Sequence, residues 1–83
     1  MQQKRLKLNL VPSLPVLRPN EVIEVFKKFG WIVSRQRGSH IVLTQEGHIA
    51  TLSVPNHNYV ARGTLRSLIN RSGISIKEFI DSL

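Results

Sequence analysis

The sequence predicts an α+β domain in which helices cover one face of a three-stranded antiparallel sheet. An apolar stripe at helical spacing, Val22, Val25, Phe26 and Phe29, comes first. Three short β-rich runs separated by turn residues follow it, and helical spacing returns at Leu65, Leu68 and Ile69. The expected order is therefore helix, three strands, then one or two helices.

At the N-terminus Leu6, Leu8 and Leu10 alternate with Lys7 and Asn9 before Pro12 and Pro15, which reads as a short extended segment and a turn. Residues 1–13 read as an N-terminal extension without an assignable role, and residues 14–83 as the domain. The first helix is expected from Pro19 to Phe29, because proline suits a first helical turn and Gly30 suits the position after the last. Trp31 to Val33 begins a strand, Gln36-Arg37-Gly38-Ser39 reads as a turn, and Ile41 to Thr44 as the second strand of a hairpin. Glu46-Gly47 marks another turn, and Ile49 to Val54 reads as a third strand ended by Pro55. Asn56 to Gly63 reads as a loop, and the helix carrying Leu65, Leu68 and Ile69 stops at Gly73. Ser75 followed by Glu78 is a capping box for a last helix from Ile76 to Leu83, with Phe79 and Ile80 on its apolar side.

Eighty-three residues make one domain, and 41% hydrophobic residues suffice for a small core. Having no cysteine removes disulfides and thiolate metal sites and fits a reducing compartment. No apolar run approaches the roughly 20 residues that span a bilayer, so the expectation is a cytoplasmic chain without a membrane partner. Twelve Lys plus Arg against five Asp plus Glu give a net charge of +7. A polyanion, and nucleic acid above all, is the first partner to consider.

Few residues can carry chemistry. The five carboxylates fall on helices and a turn, where solvent exposure explains them better than a catalytic pair does. His40, His48 and His57 are eight and nine residues apart, match no metal signature, and lead to an expectation of no metal and no cofactor. Ser39 and His40 are adjacent, so their side chains diverge on entering a strand and do not form a nucleophile–base pair. His40 is the most informative residue, since it follows a glycine turn with Arg35 and Arg37 close by. Fixed positive charge favours a neutral imidazole able to take a proton, while arginines attract a phosphodiester. The plainer reading is a surface histidine in a turn. His48 reads as an exposed residue beginning a strand, and His57 as a loop residue within reach of a ligand. Arg62, Arg66 and Arg71 form a partial basic stripe suited to phosphates, or simply a solvated helix face. Trp31 and Tyr59 could stack on bases, although Trp31 reads as core and Tyr59 alone as exposed.

The run Arg35-Gln36-Arg37-Gly38-Ser39-His40, followed by Val54-Pro55-Asn56-His57 and Gly63-Thr64-Leu65-Arg66, resembles the HicA (YcfA-like) toxins. Gly30-Trp31 before these motifs and Arg71-Ser72-Gly73-Ile74-Ser75 after them extend the resemblance over roughly Leu14 to Leu83. It implies an α-β-β-β-α fold similar to double-stranded-RNA-binding domains. It also implies an mRNA interferase held inactive by a HicB-like antitoxin. The histidine of the Gly-Ser-His motif is catalytic in that family, and here it is His40. Many members carry a second histidine directly after it, where this chain has Ile41.

The expected function is thus a toxin that is a metal-independent endoribonuclease, with His40 deprotonating a ribose 2′-hydroxyl. Arg37 and Arg35 would stabilise the charged phosphorane, and Arg62, Arg66, Ser39 and His57 would complete the contacts to RNA. The alternative is a non-catalytic RNA-binding module. A DNA-binding role has no recognition-helix pattern behind it.

Overall fold

In a computed structural model of the chain, residues 13–83 are described, so the alternating leucine segment and the body of the expected N-terminal extension lie outside the described residues. Helix α1 spans Pro19–Lys28, and Val22, Ile23, Val25 and Phe26 form its buried stripe. The Glu21 carboxylate accepts a hydrogen bond from the Arg18 backbone N–H at 2.8 Å, satisfying one free donor at the helix start. At the other end Gly30 has φ +95°. Its N–H donates to the Lys27 carbonyl (3.1 Å) while the Trp31 N–H donates to the Phe26 carbonyl (3.2 Å), the paired bonds of a Schellman ending. A side chain at residue 30 would meet the amide of Gln45, which donates to the Phe29 carbonyl at 2.7 Å. The positive φ favours glycine at this corner, and a Cβ there would also displace the Gln45 amide.

Strands β1 (Ile32–Arg37), β2 (His40–Thr44) and β3 (Leu52–Pro55) form an antiparallel sheet in the order β1-β2-β3. Leu43, Leu52 and Val54 join the core from one face, and helices α1 and α2 (Arg62–Ser72) pack against β3. All six residues of β1 are exposed, because this edge strand extends past the helices' cover. Helix α3 (Ile76–Asp81) opens with the expected capping box: Ser75 Oγ accepts from the Glu78 N–H at 3.0 Å, and Glu78 Oε1 accepts from the Ser75 N–H at 2.8 Å. Its Phe79 ring is fully buried and lies 5.3 Å from the Phe26 ring at a tilt of 58°. Trp31 is buried at 1% exposure, as expected. No helix among the described residues is long and apolar enough to cross a membrane.

Several boundaries differ from the sequence expectation. Strand β3 starts at Leu52 rather than Ile49, which is fully exposed. The segment before it satisfies its polar groups locally: His48 N–H donates to the Gln45 carbonyl (3.0 Å) and Ala50 N–H donates to His48 Nδ1 (3.3 Å). Helix α2 begins at Arg62, so Gly63 belongs to its first turn instead of the loop. Contacts from far along the chain hold that start, with Arg62 Nε donating to the Leu14 carbonyl at 2.7 Å and Val60 N–H to the Leu17 carbonyl at 2.8 Å. Helix α3 stops at Asp81, where the Ser82 hydroxyl turns back to the Glu78 carbonyl at 2.9 Å.

Candidate nucleic-acid interface

Strands β1 and β2 are joined by the two-residue loop Gly38-Ser39, with a positive φ of +57° at Gly38 and none at Ser39. Glycine at the first central position is the requirement of a tight type II′ hairpin turn. The turn is thus shorter than the four residues Gln36 to Ser39, and Arg37 pairs directly with His40 as the closing pair of the hairpin. Side chains directly opposite one another lie on the same face, with Cβ atoms about 4.5–5.5 Å apart.

The register of β1 decides which side chains share that face. Val33 pairs with Leu43, yet Arg35 pairs with Val42, so Ser34 is an extra residue, a β-bulge. Strict alternation would put Arg35 and Arg37 on the same side as Val33, the face of core residue Leu43. The bulge reverses this. Arg35 and Arg37 instead share the helix-free face with His40 and Val42, continued on β3 by Ser53 and Pro55, the partners of Val42 and His40. His40, Arg35 and Arg37 are all exposed there. A proton acceptor and two guanidinium groups within one hairpin can hold a phosphodiester and act on a hydroxyl beside it.

The loop after β3 is tied to this turn, because the Asn56 backbone N–H donates to the Ser39 carbonyl at 2.6 Å. Ser39 contributes its carbonyl to that tie, and exposed His57 follows the tied residue. Arg66 and Arg71 are exposed on α2. Arg62 is exposed as well, but the Nε bond to Leu14 commits part of its guanidinium to the fold and leaves its remaining N–H groups to face solvent or a ligand. His48 departs from its expected place. It lies in the loop before β3, half-buried, with its ring 4.8 Å from that of Trp31. Packing explains this histidine.

Among the described residues the ion pairs are Lys27–Glu24 at 3.1 Å and Lys77–Asp81 at 2.7 Å. Neither involves an arginine, although all five acidic side chains and six arginines lie within the described residues. The arginines thus face solvent with their charge uncompensated by close carboxylates. A groove between α1 and the C-terminal Ser82–Leu83, lined by Leu17, Val25 and Lys28 among others, contains none of the candidate residues. The candidate site is a surface, open to a polymer. Sequence reasoning missed the bulge and the contact of Tyr59 with Arg18, whose guanidinium Nη2 donates to the phenol oxygen at 3.1 Å. That contact joins residues 41 apart, and no local pattern announces it.

In comparison with known proteins, a family model described as the HicA toxin of bacterial toxin-antitoxin matches residues 19–74, about two thirds of the chain. No curated protein matches it.

Proposed function

Since this chain belongs to the HicA toxin family of bacterial toxin–antitoxin systems, we propose that it is an endoribonuclease that cuts mRNA at the exposed face of the β1–β2 hairpin. The observation that carries this reading is the shared face of His40, Arg35 and Arg37, set by the Arg37–His40 closing pair and the Ser34 bulge. In the proposed reaction the His40 imidazole takes the proton of a ribose 2′-hydroxyl, and the freed oxygen attacks the neighbouring phosphorus. Arg37 and Arg35 stabilise the added negative charge on the phosphorane. The bond to the 5′-oxygen breaks, and that oxygen leaves with a proton from the His40 imidazolium or from water. Arg62, Arg66, Ser39 and His57 contact the flanking strand. The proposed setting is the cytoplasm, where mRNA is.

The internal nucleophile leaves a 2′,3′-cyclic phosphate and a 5′-hydroxyl, and none of these steps uses a metal ion. Purified protein is expected to cut RNA in excess EDTA and to yield those ends. A 5′-phosphate with a 3′-hydroxyl would mean that external water attacked, and would exclude this reaction. RNA bound in EDTA but never cut would instead identify a binding module.

The restraining partner proposed is a HicB-like antitoxin whose contact surface is acidic and covers His40 with Arg35, Arg37 and the Arg62 region. Charges at the rim of an interface act mainly on association rate. The double reversal Arg35→Glu with Arg37→Glu is expected to slow antitoxin association by about tenfold or more at low salt. It should also flatten the dependence on ionic strength, measured by stopped flow. An unchanged salt slope would place the antitoxin on another surface.

A further inference from the structure

Among the described phenylalanine, tryptophan and tyrosine residues Tyr59 alone stands largely in solvent, at 53% exposure, whereas Phe26, Trp31 and Phe79 are buried and Phe29 is half-buried. An exposed phenol ring would ordinarily sample several rotamers, but this one is held. The Arg18 guanidinium carbon lies 4.7 Å from the ring centroid while its Nη2 donates to the phenol oxygen at 3.1 Å. Both residues are fixed by their neighbours: Leu17 and Val60 form an antiparallel bridge, which sets Arg18 and Tyr59 opposite each other. At the other end of the same short loop Asn56 is tied to Ser39, the residue before His40. Between these two anchors Asn58 adopts φ +49°, the left-handed turn that asparagine tolerates better than most residues.

This loop therefore carries one rigid aromatic ring from the edge of the hairpin site to a cation beside it. Pro55 pairs with His40, and four Cα steps separate it from Tyr59, so the Tyr59 Cα stands within about 15 Å of the Pro55 Cα. A flat π surface with a guanidinium against it and about half of the residue's surface in solvent suits a nucleobase. Stacking on such rings recognises bases that are not already stacked within a duplex.

We propose that Tyr59, braced by Arg18, is a stacking platform for an unpaired base near the phosphate held at His40, and that the substrate is consequently single-stranded RNA. This rests on the ribonuclease reading above and adds a subsite to it. The pair of residues could equally anchor a protein, but its tie to the hairpin site and the unpaired arginines of the surrounding surface favour an anionic polymer.

The test uses the His40→Ala protein, expected to hold RNA while cutting it far more slowly, and a short single-stranded RNA carrying 2-aminopurine. Binding is expected to quench the fluorescent base at one position along the strand. Adding Tyr59→Ala should abolish the quench and weaken binding by about 5- to 150-fold. Tyr59→Leu should do the same, since it keeps apolar area without a π face, and Tyr59→Phe should restore both signals. A loss of less than about threefold in the alanine variant would overturn the proposal, as would leucine working as well as phenylalanine. Unchanged RNA affinity with weakened antitoxin binding would also overturn it and assign the pair to the protein partner. If none of these proteins binds RNA, the ribonuclease reading falls and the platform with it; binding that ignores Tyr59 sinks the platform alone.

Discussion

His40→Ala is expected to lower the rate of RNA cleavage by about 10²–10⁴-fold, the usual contribution of a general base, while leaving RNA affinity nearly unchanged. The two effects separate because they reside on different groups. Proton transfer needs the imidazole, whereas attraction to phosphate comes from Arg35, Arg37 and the α2 arginines. His40 is exposed at the start of β2 and carries no part of the core, so the variant should fold as the parent does. Single-turnover cleavage and a binding titration on the same RNA check both halves. Wild-type cleavage by the variant would remove His40 from the chemistry and leave its face a binding surface only.

Phe26→Ala is expected to have the largest effect on stability. The ring is fully buried at the centre of α1 and meets Phe79 of α3 at 5.3 Å, so its loss opens a cavity between two helices. Truncations of this kind cost about 3–5 kcal/mol, and a domain of this length has only about 4–12 kcal/mol to lose. The melting temperature should fall by at least about 12 °C. Phe79→Ala is the weaker probe, because a six-residue terminal helix can shift to fill the gap. Urea titration of Phe26→Ala measures the effect, and a loss below about 1 kcal/mol would contradict the packing of Phe26 against Phe79.

Much of this fold was legible because its signals are local. The Val22, Val25 and Phe26 stripe, the glycine ending at Gly30 and the Ser75–Glu78 capping box each act within a few residues of the chain. The tight turn before His40 was also readable, since only glycine adopts φ +57° there without strain. Boundaries were misplaced where distant partners decided them. Ile49 has the β-branched chemistry of a strand, yet the backbone around it bonds to itself through Gln45 and His48. Gly63 looks like a loop residue, yet Leu14 and Leu17 brace the helix that contains it.

The candidate site divides along the same line. By itself the sequence determined which groups are available: a histidine after a glycine turn, arginines three and five residues before it, and an excess of positive charge. Only the tertiary structure decided which of them share a surface. The face of Arg35 and Arg37 depends on where β1 pairs with β2, and one unpaired residue, Ser34, turns both arginines from the core side to the side of His40. Likewise Arg62 is bonded to a carbonyl 48 residues away, and Tyr59 gains its brace from Arg18 across 41. Periodicity and caps arise from forces between near neighbours in the chain and therefore leave a pattern in the sequence. Register, and contacts between distant residues, are set when whole elements pack, and leave none.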